Sequence, residues 1–150
     1  MDNQNSIDKL NDLIQINNDR IEGYETASKE TTATDLRALF AELMQTSRQC
    51  RTELSAVVAQ LGGVPTDSTR MTGKFFRAWM DVKAAFTGND RHAILESCEF
   101  GEDQALEAYR EVLDHDEYLL PAQRQLVQTQ YSQLKADHDK IRSLRNASGQ

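Results

Sequence analysis

Apolar residues recur along most of this chain at spacings of three and four, the period of a helix with one side against a core. The first stripe is Leu10, Leu13, Ile14, Asn17, Ile21, Tyr24 and Ser28. It predicts a helix over about 6–30, capped by Ser6 and interrupted by the adjacent Asn17 and Asn18. The second stripe is Leu36, Leu39, Phe40, Leu43, Ser47, Cys50, Leu54, Val57, Val58 and Leu61. It predicts a helix over about 35–61, capped by Thr34 and stopped by Gly62-Gly63, with Pro65 preventing continuation. The third, over about 91–114, carries Ile94, Leu95, Cys98, Ala105, Leu106, Tyr109, Val112 and Leu113. The fourth, over about 121–145, opens on Pro121, a residue suited to a first helical turn. It faces inward with Val127, Gln130, Tyr131, Leu134, Asp137 or His138, Ile141 and Leu144, and the tail from Asn146 is expected to fray.

The connections between these stripes are short, long and short. Thr31 to Thr34 is a tight link, so the first two helices pair antiparallel. Gly62 to Asp90 is long enough to cross the length of a bundle, which lets the third helix run parallel to the second. Within it Phe75, Phe76, Trp79, Met80, Val82, Lys83 and Phe86 predict a short fifth helix over 74–86, and Asp90 can cap the helix that follows. These aromatics form either a lid on the bundle or a surface for another protein. The order describes an all-α, ferritin-like four-helix bundle with a long crossover, one domain over residues 1–150.

Composition agrees and excludes several functions. Two prolines and seven glycines leave the 150 residues free to be helical. A net charge of -7 lacks the basic stripe that nucleic-acid binding requires. The polar, acidic start MDNQNSIDKLNDL is no secretory leader, and no apolar run approaches a membrane span, so the cytoplasm is the expected location, with no membrane partner. Cys50 and Cys98 sit on apolar stripes without a C-x-x-C pair and are expected as two buried thiols.

Glu99 and Glu102 fall inside the apolar stripe of the third helix, where an unpaired charge costs several kcal/mol. With Glu96 and Asp103 they form the densest acidic cluster in the chain. Such a cluster is either a solvated edge neutralised by Arg or Lys of a neighbouring helix, or a buried polar or metal site. A di-iron carboxylate centre needs one Glu from each of two helices and a Glu-x-x-His pair from each of the others. That set is absent here. The second helix has no histidine, and Lys135 stands three residues before His138. A weaker site for a divalent metal ion could draw on Glu22 or Glu25, Glu99 or Glu102, and His138. His92 and His115, at helix ends, are expected to be exposed. No glycine-flanked nucleophilic serine or glycine-rich phosphate loop occurs. Gly101, in mid-helix, implies a close approach of another helix or a kink.

The segments Leu10–Ile14 and Asn17–Tyr24, Leu61-Gly62-Gly63-Val64-Pro65, Arg77–Lys83 and above all Cys98-Glu99-Phe100-Gly101-Glu102-Asp103 resemble a bacterial family of ferritin-like four-helix-bundle proteins of unknown function. The resemblance covers nearly the whole chain and implies the fold without an activity. It also implies a histidine in the crossover, where this chain reads Lys74-Phe75-Phe76-Arg77. Three functions then fit. The first is a non-catalytic, stress-related bundle whose interior polar network (Asn18, Glu22, Glu99, Glu102, Gln130, His138) fixes helix register. The second is a divergent bundle holding iron, manganese or zinc on Glu22, Glu99, Glu102 and His138. The third is a homodimeric interaction module.

Overall fold

The computed structural model describes residues 3–69 and 91–148. The fifth helix expected over 74–86, its aromatic side chains and the Asp90 cap lie outside them. Four long helices carry the described chain: α1 (Gln4–Glu30), α2 (Thr34–Gln60), α3 (Arg91–Asp114) and α4 (Pro121–Ser148). A single 3-10 turn, Asp116–Tyr118, precedes α4.

Helix ends differ from the sequence expectation where local hydrogen bonding offers a better stop. α1 begins at Gln4, so Ser6 lies inside its first turn and gives its hydroxyl to the Tyr118 carbonyl instead of capping. Thr34 is the first residue of α2 and Ala33 holds the cap position; the Thr31 hydroxyl accepts the Ala33 N–H at 3.1 Å. α2 ends as expected. Gly62 adopts φ +85°, and the Gly63 and Gly62 amides return to the carbonyls of Val58 and Ala59, both at 3.0 Å. This paired closure needs a residue that tolerates the left-handed region. At the start of α4 the Gln123 side-chain oxygen accepts the Leu120 N–H at 3.0 Å. α4 then runs on through Ser148, so residues 146–148 are helical rather than frayed.

Side-chain pairs set the register. Arg20 of α1 meets Ser47 of α2 and Glu102 of α3, and Asn17 meets Tyr109. Lys140 of α4 reaches Glu42 of α2, and Gln130 reaches the Cys50 carbonyl. Asn18 with Arg51 adds a second contact for α1/α2, and Tyr109 with Gln130 and Glu99 with Arg142 align α3/α4. In each neighbouring pair one number falls as the other rises, so all four packed pairs are antiparallel and the diagonal pairs α2/α3 and α1/α4 are parallel. α2 and α3 therefore run parallel, as the length of the connection between them predicted.

The buried apolar side chains fall into two clusters. One contains Leu10, Leu13, Ile14, Leu54, Val58, Leu106, Val112 and Val127. The other contains Tyr24, Leu36, Phe40, Leu43, Leu95, Cys98 and Ile141, with the Tyr24 and Phe40 rings stacked at 5.5 Å. On every helix a polar residue stands between the clusters: Arg20, Ser47, Glu102 and Asp137. The expected stripes are otherwise borne out, with Val57, Leu61, Leu113, Tyr131 and Leu144 half-buried at their margins and Ala27 buried rather than Ser28. Gly101 is buried, yet among the described residues nothing lies within 4 Å of where a Cβ would stand, so of the two expectations, a close approach or a kink, no described helix makes the approach.

Beyond Gly63 the chain lies along the flank of α1. Asn11 bonds the Val64 carbonyl at 3.2 Å and the Thr66 amide at 3.0 Å; Gln15 bonds the Ser68 hydroxyl at 2.9 Å and Asn18 the Ser68 carbonyl at 2.8 Å. Positions 11, 15 and 18 share one side of a helix; the amides of Asn11 and Asn18 satisfy backbone groups of this segment and that of Gln15 its Ser68 hydroxyl.

Candidate functional site

One guanidinium ties all four helices together. Arg20, 1% exposed, donates from Nε and Nη2 to the two oxygens of Glu102 at 2.7 and 2.6 Å, a bidentate pair. Its Nη1 donates to the Ser47 hydroxyl and its Nη2 also reaches Asp137 at 3.3 Å. The guanidinium carbon lies 5.7 Å from the centre of the Tyr24 ring, within cation–π range. Burial works against the charge on Arg20, but the Glu102 carboxylate more than offsets it, by charge and by hydrogen bond, and holds the arginine above its ordinary pKa. Asp137 is raised above 3.8 because burial outweighs its attraction to Arg20, and Glu102 adds repulsion.

The sign of that shift gives a pH dependence. A carboxyl that binds its proton more tightly when folded stabilises the fold most in acid, and that contribution is lost as pH rises through the folded pKa. Relative to Asp137→Asn, the wild-type protein is therefore expected to lose stability as pH rises upward from near 3.8, and then to run parallel to the variant. Urea midpoints of both proteins across the acid range check this. A constant difference, or one growing in the opposite direction, contradicts it.

Three residues along α1 and seven along α3 and α4 from this shell lies a second polar layer, also drawn from all four helices. Asn17 donates to the Leu13 carbonyl at 2.8 Å and to the Tyr109 hydroxyl at 2.9 Å. Tyr109 donates to Gln130 Oε1 at 2.7 Å, and Gln130 Nε2 donates to the Cys50 carbonyl at 3.2 Å and to Glu53 at 3.0 Å. The Tyr109 hydroxyl is held well above its ordinary pKa, first by burial.

Toward the surface of the α3/α4 seam the acids meet arginine and histidine. Glu99, 5% exposed, accepts Arg142 Nε at 2.9 Å, and its other oxygen forms an ion pair with Arg145 whose angles fall short of a hydrogen bond. His138, 2% exposed, places Nε2 at 2.6 Å from Asp103 and 3.7 Å from Glu99, and Nδ1 at 3.1 Å from Asp139. Both ring nitrogens face carboxylates. Glu96 and Asp103 point outward, so the acidic cluster divides: two members inside and paired, two at the surface.

The expected site residues thus separate. Glu99, Glu102, Gln130 and His138 are interior, as their positions implied. Glu22 is not: it lies on the exposed side of α1, so the metal set Glu22, Glu99, Glu102 and His138 does not converge, and Glu25 is exposed too. Asn18 is buried at the flank, between Arg51 and Ser68, and it is Asn17 that enters the interior layer. His92 is half-buried, its ring bonded to the Arg145 carbonyl at 3.2 Å, while His115 is exposed. The central residue, Arg20, was missed in the sequence. Its signal was its spacing: three after Asn17 and four before Tyr24, on the inward stripe.

The donor set does not fit a metal. Both oxygens of Glu102 are held by Arg20, and both of Glu99 face Arg142 or Arg145. Among the described residues no group of three or more His, Cys, Asp or Glu is arranged to hold an ion. Cys50 and Cys98 are free, buried thiols; burial pushes Cys50 up to about 11 and raises Cys98 further, which leaves both as poor nucleophiles. Among the described residues no helix is long and apolar enough to cross a membrane.

These features define an all-α four-helix bundle crossed by a buried ion-pair network. The chain belongs to the family described as Domain of unknown function (DUF2383), whose pattern matches residues 5–115, from the first turn of α1 to just past the end of α3. Arg20, Ser47 and Glu102 lie inside that match; Gln130, Asp137 and His138, on α4, lie beyond it. No curated protein matches the chain.

Proposed function

We propose that this protein is a non-catalytic, ferritin-like bundle whose interior polar network fixes helix register, its own arginines standing where a metal-dependent bundle would place cations. The bidentate contact of Arg20 with Glu102, at 1% and 2% exposure, carries this reading. A slip of one turn, about 5.4 Å, would strand both charges in an apolar core. The ferritin-like assignment is supported by the antiparallel pairs α1/α2 and α3/α4, by their parallel diagonals, and by the order of short, long and short connections.

Metal analysis of protein purified without chelator tests the reading. The expected result is no stoichiometric iron, manganese or zinc, and a melting temperature unmoved by adding any of them. A stoichiometric metal that disappears in the Glu99→Ala/Glu102→Ala variant would overturn it in favour of a metal-binding bundle.

A further inference from the structure

The amide of Asn17 is fully buried, and its Oδ1 has no hydrogen-bond partner among the described residues. The amide cannot simply be turned over. Its nitrogen faces the Leu13 carbonyl, which can only accept, so exchanging the two ends would set oxygen against oxygen. The Tyr109 hydroxyl cannot turn toward Asn17 either. It donates to Gln130 Oε1, and Gln130 is itself oriented by two acceptors, the Cys50 carbonyl and the Glu53 carboxylate, on its nitrogen. The polarity of this layer is therefore set at both ends, and one acceptor is left over.

A complementary donor lies one turn along the same side of α1. A guanidinium has five N–H hydrogens. Those of Arg20 on Nε and Nη2 are directed at Glu102 and Asp137, and one on Nη1 at Ser47, which leaves a second hydrogen on Nη1 without a partner among the described residues. Across from it on α2, Ser47 and Cys50 are three apart and both fully buried.

We infer that a single buried water molecule joins the two polar layers, donating to Asn17 Oδ1 and accepting from Arg20 Nη1. It turns two separate four-helix layers into one continuous network. Water suits the place because it can donate on one side and accept on the other, and because buried waters settle on polar groups that lack protein partners. An anion would be repelled by the lone pairs of Asn17 Oδ1 and a cation by Arg20. The inference does not depend on the register function: a dry site would leave the Arg20–Glu102 pair and its role as they are.

A high-resolution crystal structure tests it directly. The expected result is one ordered water within about 2.7–3.2 Å of both Asn17 Oδ1 and Arg20 Nη1. Continuous density without that water, or Asn17 Oδ1 accepting from a protein donor, would overturn it. Magnetic relaxation dispersion in solution supplies a second reading that counts long-lived internal waters. Asn17→Leu is expected to lose one of those present in the wild-type protein; an unchanged count contradicts the inference. If that variant does not fold, the wild-type density decides alone.

Discussion

Truncating Glu102 to alanine is expected to destabilise the bundle by about 3–5 kcal/mol, the largest effect of any single polar substitution here. The carboxylate is 2% exposed and takes two hydrogen bonds from a guanidinium that is 1% exposed. Removing it leaves a buried cation with Asp137, at 3.3 Å, as its remaining charged partner among the described residues. Most of the cost is that stranded charge rather than the worth of the pair itself. Replacing the whole set tells the two apart. Arg20→Met/Glu102→Leu/Asp137→Asn removes the cation with its partners, and is expected to recover most of the loss or to exceed wild-type stability by about 1–4 kcal/mol. Urea unfolding measures both variants. The register role makes a separate demand on the triple variant: its amide NMR spectrum should show more than one conformation. A stable triple variant with a single sharp set of resonances would mean that the apolar clusters align the helices without help from the charged layer.

Tyr109→Phe should cost about 1–3 kcal/mol, although it removes a single oxygen from a fully buried ring. That oxygen accepts from Asn17 and donates to Gln130 Oε1. Without it Asn17 keeps the Leu13 carbonyl, but Gln130 Oε1 loses its donor in the middle of the bundle. The penalty comes from leaving a buried polar atom unmade, so it should shrink when Gln130→Leu is added. A double-mutant cycle followed by denaturant unfolding gives the coupling. A loss below about 0.5 kcal/mol for Tyr109→Phe, with no coupling to Gln130, would show that the layer is not closed as described.

Much of the fold was legible because amphipathic helices announce themselves locally. Leu36, Phe40, Leu43, Leu54 and Val58 recur at a period that only a helix can place on one side, and the Gly62-Gly63 stop carries its own chemistry. Glu99 and Glu102 could be placed inside for the same reason, since their positions on the stripe of α3 follow from counting. Glu22 shows where counting fails. It sits next to Ile21, at the margin of the α1 stripe, where spacing does not decide between inside and outside. Asn17 and Asn18 were an equally ambiguous pair, and the packing sent one inward and the other to the Ser68 segment.

Periodicity along the chain determined the helices, their inward sides, the α2 stop and the presence of acids where a core should be. These depend on spacing and on residues a few positions apart, which one helix carries by itself. Tertiary structure alone decided that Arg20 answers Glu102, and that Ser47 and Asp137 complete its shell. Those groups lie on four different helices, and their meeting depends on how the helices slide and rotate against one another, a relation that no local spacing encodes.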